Sequence, residues 1–139
     1  CAVGAVEAGP PELAGRTVFC LHPHQERFDA PLHLLAPVPE GVPARRAVLA
    51  ANMETALNAL WDSGAGPGDR VVVVGAGVVG LLVAFLAGGL PGAEVTLVDT
   101  DLSRAGIARH LGCRFQKPLD APGGADVVFH ASAHPAGLA

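Results

Sequence analysis

Gly75-Ala76-Gly77-Val78-Val79-Gly80 follows the all-valine run Val71 to Val74 and opens a second apolar stretch, and Asp99 stands nineteen residues after Gly80. Glycines and an acid at this spacing could hold a dinucleotide, because each has a mechanical task. Gly75 permits a tight turn out of a strand, Gly77 leaves room for backbone to approach a pyrophosphate, and Gly80 lets a helix pack closely on the strand. A helix starting at Val78 would present free N–H groups and the positive end of its dipole to the phosphates. Asp99, at the tip of the next strand, could accept both hydroxyls of an adenosine ribose.

Three other readings compete for these residues. Val71 to Leu90 is twenty residues without a charge, long enough for a membrane span. Against it, Asp69-Arg70 and Pro91-Gly92 bound the segment at once, its first part is β-branched, and no positive cluster marks a flank. A methyltransferase also joins a glycine turn to an acid ending the second strand. Its third glycine usually comes one residue sooner, however, and its first strand usually carries an acid, which Val71 to Val74 lacks. A glycine turn of purely structural purpose leaves Asp99 unexplained.

The elements that must position these residues read as alternating strands and helices. Strands are expected at 71–74, 94–98, near 113–115 and at 126–129, with helices from 78 to about 89 and from about 102 to 111. Thr100 or Asp101 could cap the later helix and Gly112 could end it. Such alternation predicts a parallel sheet with right-handed crossovers. Upstream, Pro43 begins a helical pattern with Leu49, Met53, Ala56, Leu57 and Leu60 on one face, stopped by the run from Ser63 to Gly68. Residues 1–42 are strand-and-turn material broken by prolines and glycines. The fold class is therefore α/β, an incomplete Rossmann-type doubly wound parallel sheet preceded by a β-rich tail.

A chain of 139 residues can bury one modest core. A full cofactor domain with a catalytic domain would need about twice this length or more, and the chain opens on Cys1 and stops soon after the strand-like DVVFHAS, so it reads as a fragment. A net charge of −4 without a basic run argues against nucleic acid or an anionic membrane as partner. Three cysteines without a CxxC pair, and no visible signal peptide, predict a reducing cytoplasm.

Five blocks taken together resemble the medium-chain dehydrogenase/reductase superfamily, which includes zinc-type alcohol dehydrogenases, over nearly the whole chain. They are Gly15-Arg16-Thr17-Val18, Leu35 to Gly41, Thr55-Ala56, Pro67-Gly68-Asp69-Arg70-Val71 leading into the glycine turn, and Asp99 with Arg104 and Ala108 to Gly112. The resemblance implies that residues 1–42 are the C-terminal part of a GroES-like catalytic domain and residues 43–139 an NAD-binding Rossmann domain truncated at its C-terminus. It also implies hydride transfer between a nicotinamide and a small alcohol or carbonyl substrate. Gly75, Gly77, Val78, Val79 and Gly80 would then hold the pyrophosphate, Asp99 the adenine ribose, and the backbone at Ala131-Ser132 would run along the dinucleotide. Arg104 would face the adenine side and Thr55 would lie near the nicotinamide. No catalytic residue is assigned, the fragment alone is expected to be inactive, and the full-length protein is a candidate homo-oligomer.

Zinc members of the family carry an early cysteine, a Gly-His-Glu sequence and a third ligand four residues before the helix threonine. Ala51 stands in that third place, Cys1 falls where the Glu would be, and no four-cysteine lobe lies between Val18 and Ala36, so no catalytic zinc is expected. Apart from the family, Cys20, His22 and His24 alternate and on one strand could form a soft N/S metal site, although Pro23 favours a broken strand surface instead. His130 and His134 read as strand-end and loop residues rather than a general base, and Asn52 and Glu54 as ordinary helix side chains. Loss of metal keeps a second reading open, a non-catalytic, redox-sensing dinucleotide module. For the cofactor, Asp99 followed by Thr100-Asp101 places carboxylates and no cation where a 2′-phosphate would sit, which predicts NAD over NADP.

Overall fold

Three short strands, separated by segments that contain prolines and glycines, build the first part of the chain. The computed structural model describes residues 1–138. Two units divide the chain, Cys1–Ala51 and Asn52–Ala139. In the first, β1 (Ala2–Ala5), β2 (Thr17–Cys20) and β3 (Leu35–Pro37) form an antiparallel sheet in that order, with Phe19 opposite Val3 on one side and Ala36 on the other. A 3₁₀ turn at Leu32–Leu34 feeds β3.

The helix expected from Pro43 is broken. A short α1 (Ala44–Ala47) is followed by α2 (Ala50–Ser63), with a turn at Val48-Leu49 between them. The Leu49 N–H bonds to the carbonyl three residues back, at Arg46, and the Val48 carbonyl accepts a contact from the Cys1 thiol at 3.7 Å. The turn therefore tightens as a 3₁₀ turn does. Leu49 is exposed there and off the helix, so the apolar face begins effectively at Met53, with Ala56 fully buried.

The second unit is the parallel sheet. Its strands are β4 (Arg70–Val74), β5 (Glu94–Val98), β6 (Arg114–Gln116) and β7 (Val127–His130), in the order β6-β5-β4-β7, every neighbour pair parallel. Between β4 and β5 runs α3 (Val78–Gly88), and a 3₁₀ turn at Leu102–Arg104 leads into α4 (Ala105–His110) before β6. The last two strands start one residue later than their composition indicates. Cys113 is drawn into the core ahead of β6, and the Asp126 carboxylate is spent on the Arg70 N–H ahead of β7. Val71, Val73, Val83, Ala84, Ala87, Leu97 and Ala108 fill the core, so β4 is covered on both faces and its all-valine composition follows. Burial pushes the Cys113 thiol above its ordinary value of 9.0. With α3 only 11 residues long, no helix among the described residues is long and apolar enough to cross a membrane.

Candidate functional site at the strand ends

β5 and β7 flank β4 on opposite sides, so the chain reverses its direction of winding at β4. In open parallel sheets such a reversal leaves a crevice beyond the carboxyl ends of the strands, where ligands bind. Three chain segments meet there. Gly75 leaves β4 with φ +103°, its N–H bonded to the Val98 carbonyl at 2.8 Å, while the Ala131 N–H bonds to the Val74 carbonyl at 2.8 Å. A Cβ on Gly75 would lie 2.6 Å from the backbone N and Cα of Ser132. The close approach that glycine permits here is thus to the end of β7, within the protein itself.

Gly80 sits one helical turn on, where a Cβ would overlap the Gly75 carbonyl oxygen and press on Val73. Gly77 differs from both, because a Cβ there would meet nothing within 4 Å. Gly77 is also the N-cap of α3, and no side chain caps that helix. The first N–H groups of a helix have no partner inside it, so the turn offers donors and space together. Val78 is exposed beside them and Val79 packs toward the core.

Asp99 closes this constellation from β5. One of its carboxylate oxygens accepts the Ala76 N–H at 2.5 Å and the other accepts the Asp101 N–H at 2.8 Å. Asp101 caps the 3₁₀ turn by accepting the Ser103 N–H at 2.9 Å, and Arg104 donates Nε to Asp101 at 3.1 Å. Ser103, through its hydroxyl and N–H, and then the Arg104 guanidinium hold the Asp101 carboxyl below its ordinary value of 3.8. The structure therefore brings Gly75, Gly77, Val78, Val79, Gly80, Asp99, Ala131 and Ser132 to one end of the sheet, and pairs Arg104 with Asp101. Thr55 stands exposed on α2.

Two features of the site lie outside what the sequence reading anticipated. Ser132 Oγ lies 2.8 Å from His130 Nε2, which also lies 3.1 Å from the His134 carbonyl, so the residues after β7 fold back on it. Ala133 within that loop has φ +54°, the only positive value at a non-glycine among the described residues. A Ser-x-x-Pro-like turn after a strand, His130-Ala131-Ser132 with Pro135, was the available hint for the first. Nothing marks an alanine for the second.

The alternative metal set does not assemble. Cys20 is buried at the end of β2, and the His22 ring stacks on Phe28 with centroids 3.8 Å apart while its Nδ1 lies 3.0 Å from the Pro23 carbonyl. The strand stops at Cys20, so the three side chains never share one strand face. Among the described residues no three His, Cys, Asp or Glu side chains are grouped to hold a metal ion.

No protein-family model matches the sequence. The chain is 39% identical over 88 residues, 63% of its length, to an uncharacterized zinc-type alcohol dehydrogenase-like protein of Haemophilus influenzae, of which it covers 25%. It is 29% identical over 119 residues, 78% of its length, to the 2-dehydro-3-deoxy-L-galactonate 5-dehydrogenase of Pseudoalteromonas atlantica, of which it covers 35%. Its structure is similar to that of the quinone oxidoreductase of Thermus thermophilus, solved also in complex with NADPH, with a TM-score of 0.73 and 28% identity over 91% of this chain and 44% of that one. The chain thus spans about a quarter to a third of the length of the curated relatives it matches.

Proposed function

We propose, on the premise that the chain is a stretch of a medium-chain dehydrogenase or reductase, that its protein transfers a hydride between a nicotinamide dinucleotide and a small alcohol or carbonyl compound. The observation that supports this most is the open, uncapped turn at Gly77 set beside the Asp99 carboxylate at the switch point of the sheet. In this reading residues 1–42 close a catalytic domain and residues 43–139 form the cofactor domain. The thiol state of Cys1, Cys20 and Cys113 fits a reducing compartment such as the cytoplasm.

The residues present fit the dinucleotide. Gly77, Val78, Val79 and Gly80 would receive the pyrophosphate on backbone N–H groups, with the dipole of α3 behind them. Gly75 shapes the turn, Asp99 would take the adenine ribose hydroxyls, and the backbone at Ala131-Ser132 would flank the cofactor. Arg104 would stand on the adenine side, and Thr55 would come near the nicotinamide. When bound, the cofactor supplies the hydride chemistry, while the protein positions it and excludes water. The same residues do not fit zinc, because Ala51 at the place of the family's third ligand offers only a methyl group.

Asp99 favours NAD over NADP by charge, since a 2′-phosphate would meet its carboxylate, while the Asp101 carboxylate beside it is paired with Arg104. A calorimetric titration is expected to show NAD binding roughly tenfold to thousandfold tighter than NADP. Equal or tighter NADP binding would overturn the assignment. A screen of alcohols and aldehydes, read by nicotinamide absorbance on the full-length protein of which this chain is a part, is expected to find turnover. Cofactor binding with no turnover would favour the second reading, a redox-sensing module, which the absence of a metal ligand at Ala51 supports.

A further inference from the structure

The geometry points to Asp99 as a positioning residue that holds the glycine turn in shape before any ligand arrives, a task separate from gripping ribose. This inference rests on the proposed dinucleotide site but is carried by different atoms. Consecutive amides at the start of the turn are taken by consecutive residues at the end of β5: Gly75 N–H by the Val98 carbonyl at 2.8 Å, and Ala76 N–H by the Asp99 carboxylate at 2.5 Å. Asp99 is itself fixed from behind, its N–H bonded to the Gln116 carbonyl of β6 at 3.2 Å.

Ala76 is 0% exposed. Water therefore cannot replace the carboxylate without the turn moving, and a buried N–H left without a partner is costly. Two N–H groups, from Ala76 and Asp101, use only part of the acceptor capacity of a carboxylate. The remaining lone pairs are free for two hydroxyls, so the same side chain can brace the turn and take a ribose at once. Bracing fixes where the following N–H groups, from Gly77 onward, point, and affinity gained by orienting donors in advance is not lost again on binding.

A cycle of two ligands and three proteins separates the tasks. NAD and its analogue with a 2′,3′-dideoxyribose on the adenine side are titrated into the full-length protein, Asp99→Ala and Asp99→Asn, and amide hydrogen exchange is followed at Ala76, Val73 and Leu97. If Asp99 braces the turn, Asp99→Ala binds the dideoxy analogue, which offers Asp99 no hydroxyl, about five- to thirtyfold more weakly than the unmodified protein does. Ala76 exchange then accelerates while Val73 and Leu97 stay protected, a pattern that general destabilisation does not give. Asp99→Asn keeps an amide oxygen for Ala76 and should recover most of the dideoxy-ligand affinity and the protection. Asp99→Ala binding the dideoxy analogue as tightly as the unmodified protein, with Ala76 still protected, would overturn the inference. Should Asp99→Ala not fold, Asp99→Ser, whose side chain is one bond shorter, decides: faster Ala76 exchange with Val73 and Leu97 still protected supports bracing, and unchanged Ala76 protection refutes it. Failure of the ribose assignment looks different, as equal binding of the two ligands by the unmodified protein.

Discussion

At the scale of single residues the three glycines of the turn have three different reasons to be glycine. Gly75 has φ +103° and a Cβ there would lie 2.6 Å from Ser132 backbone, so Gly75→Ala should cost about 2–4 kcal/mol through overpacking and strain. Gly77 has extended φ and ψ and open space around it, so Gly77→Ala should cost less than about 1 kcal/mol, the difference between glycine and alanine at an N-cap. The added methyl would stand where a pyrophosphate must approach, and NAD affinity should fall roughly tenfold. Urea denaturation and a calorimetric titration on the two variants check this crossing of effects; Gly77→Ala unfolding as early as Gly75→Ala would refute it. Ala133 presents the opposite case, an alanine where the backbone favours glycine. Left-handed backbone costs an alanine about 1–2 kcal/mol, and the extra freedom of an unfolded glycine offsets about 0.5–1 of that. Ala133→Gly should therefore be neutral or stabilising by up to roughly 1 kcal/mol in the same denaturation assay.

Between elements, the start of β7 is tied to the start of β4 by one acid. Asp126 accepts the Arg70 N–H at 2.8 Å and its guanidinium at 3.3 Å, and the Asp126 N–H returns a bond to the Arg70 carbonyl at 2.9 Å. The Arg70 N–H, then the guanidinium, hold the Asp126 carboxyl below its ordinary 3.8. A carboxyl depressed in the folded state adds stability above its unfolded pKa and loses it as pH falls through the folded value. The urea midpoint should therefore decline below about pH 4, and Asp126→Asn should flatten that decline while lowering the midpoint near neutrality. An unchanged acid limb in Asp126→Asn would show that other groups set it. What could be read from the sequence divides along the same lines. The unit from β4 through α3 to β5 was legible because a strand buried on both faces, a glycine turn and a helix each leave a compositional mark. The break between α1 and α2 left none, since it lies within one tightened turn where the Leu49 N–H bonds to the Arg46 carbonyl. In the site, spacing brings Gly75 and Asp99 to neighbouring strand ends, but the bond from Ala76 to Asp99 and the approach of Ser132 to Gly75 arise from the register of β4 with β5 and β7. Periodicity does not encode register between strands separated by a crossover. Spacing puts Arg104 in the turn after Asp99, but its pairing with Asp101, three residues back, is a side-chain contact that spacing alone does not specify.

At the scale of the whole chain, the parallel sheet has two edges among the described residues, and they are unequal. β6 is three residues long and carries Arg114, which pairs with Glu94 at 2.9 Å, so that edge is short and charged. β7 pairs with β4 on one side and, among the described residues, with no strand on the other. Its sequence is Val-Val-Phe-His, without a Lys, Arg, Asp, Glu or Pro, and Val128 is 58% exposed. Edge strands that stay monomeric are commonly blunted by charge, proline or a bulge, and an apolar edge lacking them is a template for pairing with another chain. Taken by itself, the 139-residue stretch is therefore expected to self-associate reversibly, its sedimentation coefficient rising with protein concentration. Val128→Lys places a charge in the middle of that strand and should shift the association to higher concentration by about tenfold or more, with little change in the urea midpoint because the side chain is already exposed. A chain that sediments as a monomer at all concentrations, or a Val128→Lys variant that associates as readily as the unmodified chain, would show that the β7 edge is not the adhesive surface.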